Sequence, residues 1–216
     1  MNRSLNEIEA QAKRAARGAG LSWGMAEEAA RATRWLASHD LAGPALLAEV
    51  LAKNDGLPHS QIAPLSLGDE WRAPAGELCP IAAGTALNDC ADRLGDGQTI
   101  RMAQVSCPLM LVPFAAWAAI HLDMHVQIQW QNLQIATDGT RIAVTDPDGD
   151  INAQIAATVT CQTTQPKSKT ATLPNLRGDV PPDVWAKLDN FAQRTFAPAT
   201  EASRLLGAGS GLSDND

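Results

Sequence analysis

Two short stretches concentrate the residue types that bind or move charge. One reads Arg14-Ala-Ala-Arg17-Gly-Ala-Gly20-Leu-Ser-Trp23-Gly24-Met-Ala-Glu27-Glu-Ala-Ala, and joins two segments of helical character. The other is Glu201-Ala-Ser-Arg204-Leu-Leu-Gly207-Ala-Gly209-Ser-Gly-Leu-Ser-Asp214-Asn215-Asp. Exposed amides at the start of a helix attract an anion through the helix dipole. Arg17 or Arg204 pairs with a carboxylate, and Trp23 supplies an apolar wall. The expected ligand set is Arg17, Gly20, Trp23, Gly24, Arg204, Gly207, Gly209, Asp214 and Asn215. Glu27 is the acid–base candidate, on the condition that burial raises its pKa toward neutrality. The expected ligand is a small anionic organic acid, held where the helical hairpin meets the C-terminal tail. No reaction class, cofactor or metal follows from these residues.

Other constellations are better read as structure. His121 and His125 would share one face of a helix, but the glutamate of the zinc-protease motif is missing, and the pair straddles a helix-to-strand change. In a strand they would stand about 13 Å apart, too far for one ion. Asp146-Pro-Asp-Gly-Asp150 has turn chemistry and lacks the later acidic ligand of a calcium loop. No G-x-S-x-G elbow, Walker loop or dinucleotide fingerprint occurs. Cys79, Cys90, Cys107 and Cys161 are scattered without a C-x-x-C pair, so reduced and mostly buried thiols are expected.

Both chemistry-bearing stretches resemble the terminal motifs of an uncharacterised bacterial family, domain-of-unknown-function family 3726. The similarity extends over nearly the whole chain, and its specific motifs lie at the two ends. The resemblance implies no activity, substrate or catalytic residue; it implies that the end motifs matter and that the tail is more than a casual extension.

The elements that must position these residues follow from periodicity. Ser4 and Glu7 form a capping-box pattern, and Leu5, Ile8, Ala12 and Ala15 or Ala16 make one buried helical stripe. Gly18 and Gly20 stop that helix by taking the left-handed conformation. A second helix starts near Ser22 with Glu27 and Glu28 in its first turn, and a third starts at Pro44 and ends near Lys53. Together 1–53 form a helical cap. Asp55 to Pro80 is an extended surface connection, and Thr85 to Leu94 a short helix.

The region 98–163 is an antiparallel sheet. Thr99 to Val112 reads as a strand that Pro108 places at an edge or bulge, and Phe114 to Leu122 as a helical turn or two. Val126 to Ile135 alternates as one strand; Asp138-Gly139 turns it into Arg141 to Thr145, and Ile151 to Thr163 continues the meander. Gln165 to Pro182 is a polar loop. C-terminal helices over 183–206 begin with Asp183 as a cap, continue through Trp185, Leu188, Phe191 and Ala192, and end in a turn at Glu201 to Leu206. The fold class is α+β in a single domain, with a Gly-rich tail.

Composition sets the outer limits. The 216 residues carry a net charge of −7, against a broad nucleic-acid footprint. No apolar run reaches the roughly 20 residues of a membrane span. The first residues carry acids where a signal peptide needs an apolar core, so a cytoplasmic protein is expected. A second reading is a non-catalytic accessory or assembly protein, a homodimer by edge-strand pairing, whose sheet presents Gln127, Gln129 and Trp130 to its partner.

Overall fold

Ser4 opens the first helix with a closed capping box. Its hydroxyl accepts from the Glu7 amide, and the Glu7 carboxylate accepts from the Ser4 amide at 2.9 Å. In the computed structural model, which describes residues 1–145, 150–165 and 174–196, helix α1 runs Leu5–Gly18 and buries Leu5, Ile8, Ala12, Ala15 and Ala16. Gly20, at φ +94°, makes the left-handed turn. Gly18 does something else: it is helical, and a Cβ there would lie 1.7 Å from the Phe191 carbonyl oxygen. It is small so that another backbone can reach it.

Ser22 caps α2 (Trp23–Ser38) by accepting from the Met25 amide. The first turn is therefore Trp23 to Ala26, and Glu27 and Glu28 fall in the second turn, where the helix dipole favours them less. Helix α3 (Gly43–Asn54) begins one residue before Pro44, at a glycine whose Cβ would meet the Thr33 carbonyl at 2.5 Å. These three helices form the N-terminal cap, and their alanine-rich stripes allow close packing.

The connection after α3 is less plain than its composition suggests. It holds a one-turn helix α4 (His59–Ile62) and strand β2 (Glu70–Trp71), and Trp71 is fully buried. The expected helix over Thr85 to Leu94 is two helices, α5 (Pro80–Asp89) and α6 (Ala91–Gly95), separated at Cys90.

Strand β3 (Ile100–Ser106) ends sooner than Val112. Cys107 takes φ +43°, and Pro108 opens a short 3-10 helix, Pro108–Leu111. Pro108 is thus outside the strand rather than at its edge, consistent with a residue that cannot donate to a ladder. Helix α7 (Val112–Leu122) follows. It is three turns long, not one or two, and is mostly buried as far as Ala119, while Ile120 and His121 are exposed.

The alternating run from Val126 to Ile135 is a hairpin, not one strand. Strands β4 (His125–Trp130) and β5 (Leu133–Thr137) pair across a turn in which Gln131 has φ +50°. A two-residue turn preserves alternation on both sides, so the pattern alone does not betray it. The Asp138-Gly139 turn leads into β6 (Ile142–Thr145) as its residues require: the Asp138 carboxylate accepts from the Thr140 and Arg141 amides, and Gly139 sits at φ +99°.

The expected meander breaks at the next strand. β7 (Ile155–Thr164) does not pair with β6; it returns between β3 and β4, giving the order β2-β3-β7-β4-β5-β6. All neighbours are antiparallel except β2 and β3, which are parallel. One sheet face, with Met102, Val159, Ile128, Trp130 and Ile135, lies in the core with α5 and α7. Trp130 is 1% exposed and donates its indole N–H to the Asp150 carbonyl, so it is no partner-facing residue. Gln127 is buried as well, and Gln129 is half-buried.

Part of the supposed loop from Gln165 to Pro182 is strand β8 (Arg177–Asp179), which pairs with β1 (Asn2–Ser4) at the very start of the chain. It leads into α8 (Pro182–Gln193), whose N-cap is Pro181; Asp183 lies in the first turn without capping it by a side-chain bond. The Asp146 to Gly149 turn, the turn at Glu201 to Leu206 and the Gly-rich tail lie outside the described residues. The fold is α+β. Among the described residues, no helix is long and apolar enough to cross a membrane.

Candidate functional site

The exposed stripe of α1 carries Ala10, Lys13, Arg14 and Arg17, spaced by three, four and seven residues, so one helix face presents all four. The turn at Gly20 brings α2 back beside that face, and Trp23, its first residue, stands 66% exposed. The Arg17 guanidinium carbon lies 4.5 Å from the Trp23 ring centroid, and the Lys13 ammonium 5.9 Å from it. Arg17 also donates to the Leu21 carbonyl, which ties its orientation to the turn. Thr195, just beyond α8, completes a cleft of about 300 Å³. The helices can approach because Gly18 leaves room for the α8 backbone, and the Gln11 amide donates across to Asp189 at 3.2 Å.

Positive charge stands around this cleft, while the surface of the cleft itself is almost wholly apolar. Arg14 donates to the Gln11 side chain, Arg17 to a carbonyl, and neither has a carboxylate within ion-pair distance among the described residues. Lys13 differs, since its ammonium is 2.7 Å from the Glu27 carboxylate. Three cations therefore face one carboxylate.

That same pair removes the condition placed on Glu27. Its carboxylate is exposed, and the Lys13 hydrogen bond and charge hold its pKa below the usual 4.5 rather than raising it. At neutral pH it is a committed anion with no proton to give and little basicity. Gly20 and Gly24 do not line the cleft, and each has open space where a side chain would be. Of the expected set, Arg17 and Trp23 line it together; Arg204, Gly207, Gly209, Asp214 and Asn215 lie outside the described residues.

Sequence reading missed a second cleft farther along the same helix pair. On α2, Arg31, Arg34, Trp35 and Ser38 recur at three-, four- and seven-residue steps, away from the buried stripe of Ala29, Ala30, Thr33 and Leu36. They line a hollow of about 450 Å³ with Glu9 of α1, Trp117 of α7 and residues 174–176. The stripe was visible in the sequence. Its partner Trp117 was not, being 82 positions beyond Trp35 (117 − 35).

The remaining reactive groups are quiet. Cys79, Cys107 and Cys161 are buried and unpaired. Burial pushes the Cys107 thiol up to about 11 and Cys161 to about 12, so neither is a nucleophile near neutrality. His121 lies 3.2 Å from the Asp92 carboxylate on the surface, and His125 belongs to β4. Among the described residues, no group of three or more His, Cys, Asp and Glu is placed to hold a metal ion.

Residues 3–79 match the model of a family described as a protein of unknown function, DUF3726. The match includes the Arg14 to Ala30 stretch and stops far short of the C-terminal one, so it is narrower than a resemblance over nearly the whole chain. No curated protein and no solved structure matches the chain significantly.

Proposed function

Because the family that residues 3–79 match is one of unknown function and supplies no activity, we propose from the cleft itself that this protein binds a small organic anion beside α1. One observation carries the reading: Arg14 and Arg17, without a carboxylate partner among the described residues, share a 300 Å³ cleft with the exposed face of Trp23. A guanidinium offers several N–H donors in a plane, which suits a carboxylate held by two bonds. The indole supports the apolar body of such an acid. Arg17 is already oriented by its carbonyl bond and by the ring, so little freedom is lost when the ligand arrives. The volume is at the low end for ligand pockets, which suits a short acid.

The reading is of binding, not of catalysis. Glu27 is paired with Lys13, and the described residues that line the cleft include no serine, cysteine or histidine. The proposal extends to Arg204 and the last residues of the tail as further ligands to the same anion. Calorimetric titration with benzoate, succinate and phenylacetate tests it. Arg14→Gln with Arg17→Gln should weaken the best of these about tenfold or more, the loss expected of one charge-assisted hydrogen bond. Arg204→Gln and removal of Ser213 to Asp216 should each weaken it too. Unaltered affinity in the arginine double variant would remove the reading, and unaltered affinity in the tail variants would confine it to α1 and Trp23.

A further inference from the structure

The second cleft is built for a different kind of molecule. Both of its indoles are held in place by the protein. Trp35 stacks on His39 at 3.9 Å between centroids with 25° between planes. His39 is itself buried, with its two ring nitrogens 2.9 Å from the carbonyl oxygens of Trp35 and Thr140. Trp117 has Phe114 at its edge, 5.0 Å away, and the Arg31 guanidinium 4.5 Å over its ring. Neither indole closes over the hollow, and both stay half-buried along its wall.

The charges are balanced here, unlike those beside α1. Arg31 pairs with Glu28 at 3.0 Å, and Arg34 with Glu9 at 2.7 Å and the Asn6 side chain at 2.6 Å. In each arginine one terminal nitrogen makes these bonds, and the other N–H groups of the guanidinium face no recorded partner among the described residues. Glu9 keeps a second carboxylate oxygen, and its side chain is one-third exposed. A lone anion would meet Glu9, and a lone cation would meet two guanidinium groups. A ligand carrying both charges meets a partner for each.

We infer that this cleft binds a zwitterionic amino acid with an aromatic side chain. Its carboxylate takes the remaining N–H donors of Arg34 and Arg31, its ammonium the free oxygen of Glu9, and its ring lies between Trp35 and Trp117. Aromatic rings gain from offset or edge contact with indoles beyond the area they bury. The opposed charges set the ligand's direction in the cleft, which buried area alone would not.

Three related probes separate the contributions: L-phenylalanine, 3-phenylpropionate, which lacks the ammonium, and 2-phenylethylamine, which lacks the carboxylate. Titrated calorimetrically into the full chain, L-phenylalanine should bind tightest. Glu9→Gln should weaken L-phenylalanine about tenfold or more while 3-phenylpropionate holds or gains affinity. Arg34→Gln should weaken both carboxylates and spare the amine. Trp117→Leu should weaken all three in the Arg14→Gln, Arg17→Gln background, and that double substitution alone should leave L-phenylalanine unweakened, which keeps this test apart from the one above. With the first cleft removed by Arg14→Gln and Arg17→Gln, equal affinity for L-phenylalanine and 3-phenylpropionate overturns the inference, as does no saturable heat with L-phenylalanine up to about 10 mM. Thermal melts accompany each variant; if Arg34→Gln or Trp117→Leu unfolds, the exposed Glu9→Gln decides alone.

Discussion

The two clefts flank the same pair of helices and use the same parts, a helical stripe with two arginines and a tryptophan, yet they differ in balance and support. Beside α1, the arginines have no carboxylate partner among the described residues, and the indole of Trp23 is mostly in solvent. Beside α2, each arginine has a glutamate, and each indole is braced by a second ring. The lesson is that residue types name a kind of site, whereas the neighbours supplied by other elements decide its charge and rigidity. On the readings proposed above, the stripe with three cations and one carboxylate takes an anion, and the stripe whose charges are already matched takes a molecule that can match them again.

Substitutions can break that contrast, and the largest effect should come from Gly18. An alanine Cβ would lie 1.7 Å from the Phe191 carbonyl oxygen, so α8 must move and carry Thr195 away from the first cleft. Gly18→Ala should lower stability by about 3 kcal/mol in chemical denaturation, the upper range for overpacking a tight contact. Gly24→Ala, at a position with open space, should change it by less than about 0.5 kcal/mol. If both melt like the parent, the first cleft does not depend on α8.

The next effect separates the indoles. Trp117→Ala removes a half-buried ring packed against the core and should cost about 2 kcal/mol. Trp23→Ala removes a ring that is 66% exposed and should cost well under about 1 kcal/mol while abolishing the wall of the anion cleft. Similar losses at both positions would mean that the two clefts are equally supported. Ser4→Ala tests the helix they share: losing the cap of α1 should cost about 1 kcal/mol, read from the denaturation midpoint.

The smallest effect is a matter of pH. Glu27 has its pKa lowered by Lys13, so its pairing stabilises the folded state above the unfolded pKa of about 4.5 and is lost as pH falls through the lower folded value. Glu27→Gln should therefore lower stability slightly at pH 8, where the pair is intact, and converge with the parent as pH falls through the lowered folded pKa, which flattens the acid limb. Because the pair is exposed, added salt should shrink the difference. A raised acid limb, with stability lost near neutrality, would instead restore Glu27 as an acid–base group.

Much of the local structure could be read in advance. Ser4 with Glu7, Ser22, and Asp138-Gly139 each end or turn an element by hydrogen bonds within a few residues, and each does so in the structure. The Arg17-to-Trp23 site was legible for the same reason, since one turn joins its parts. Where reading went wrong, the deciding partner was distant or the pattern was degenerate. Val126 to Ile135 hides a turn because alternation is preserved across it, and β8 was missed because its partner β1 lies some 175 residues earlier.

The amino-acid order by itself determined the helical cap, the strand-forming segments, the α+β class and the gathering of Arg14, Arg17 and Trp23 around one turn. Capping, glycine conformation and periodicity act over one or two turns of chain, and they need no knowledge of the rest. Tertiary structure alone decided that β7 inserts between β3 and β4, that Trp130 faces the core, that Lys13 silences Glu27, and that Trp117 faces the α2 stripe. Burial and charge pairing depend on which atoms meet in space, and here those atoms come from separate elements brought together only by folding.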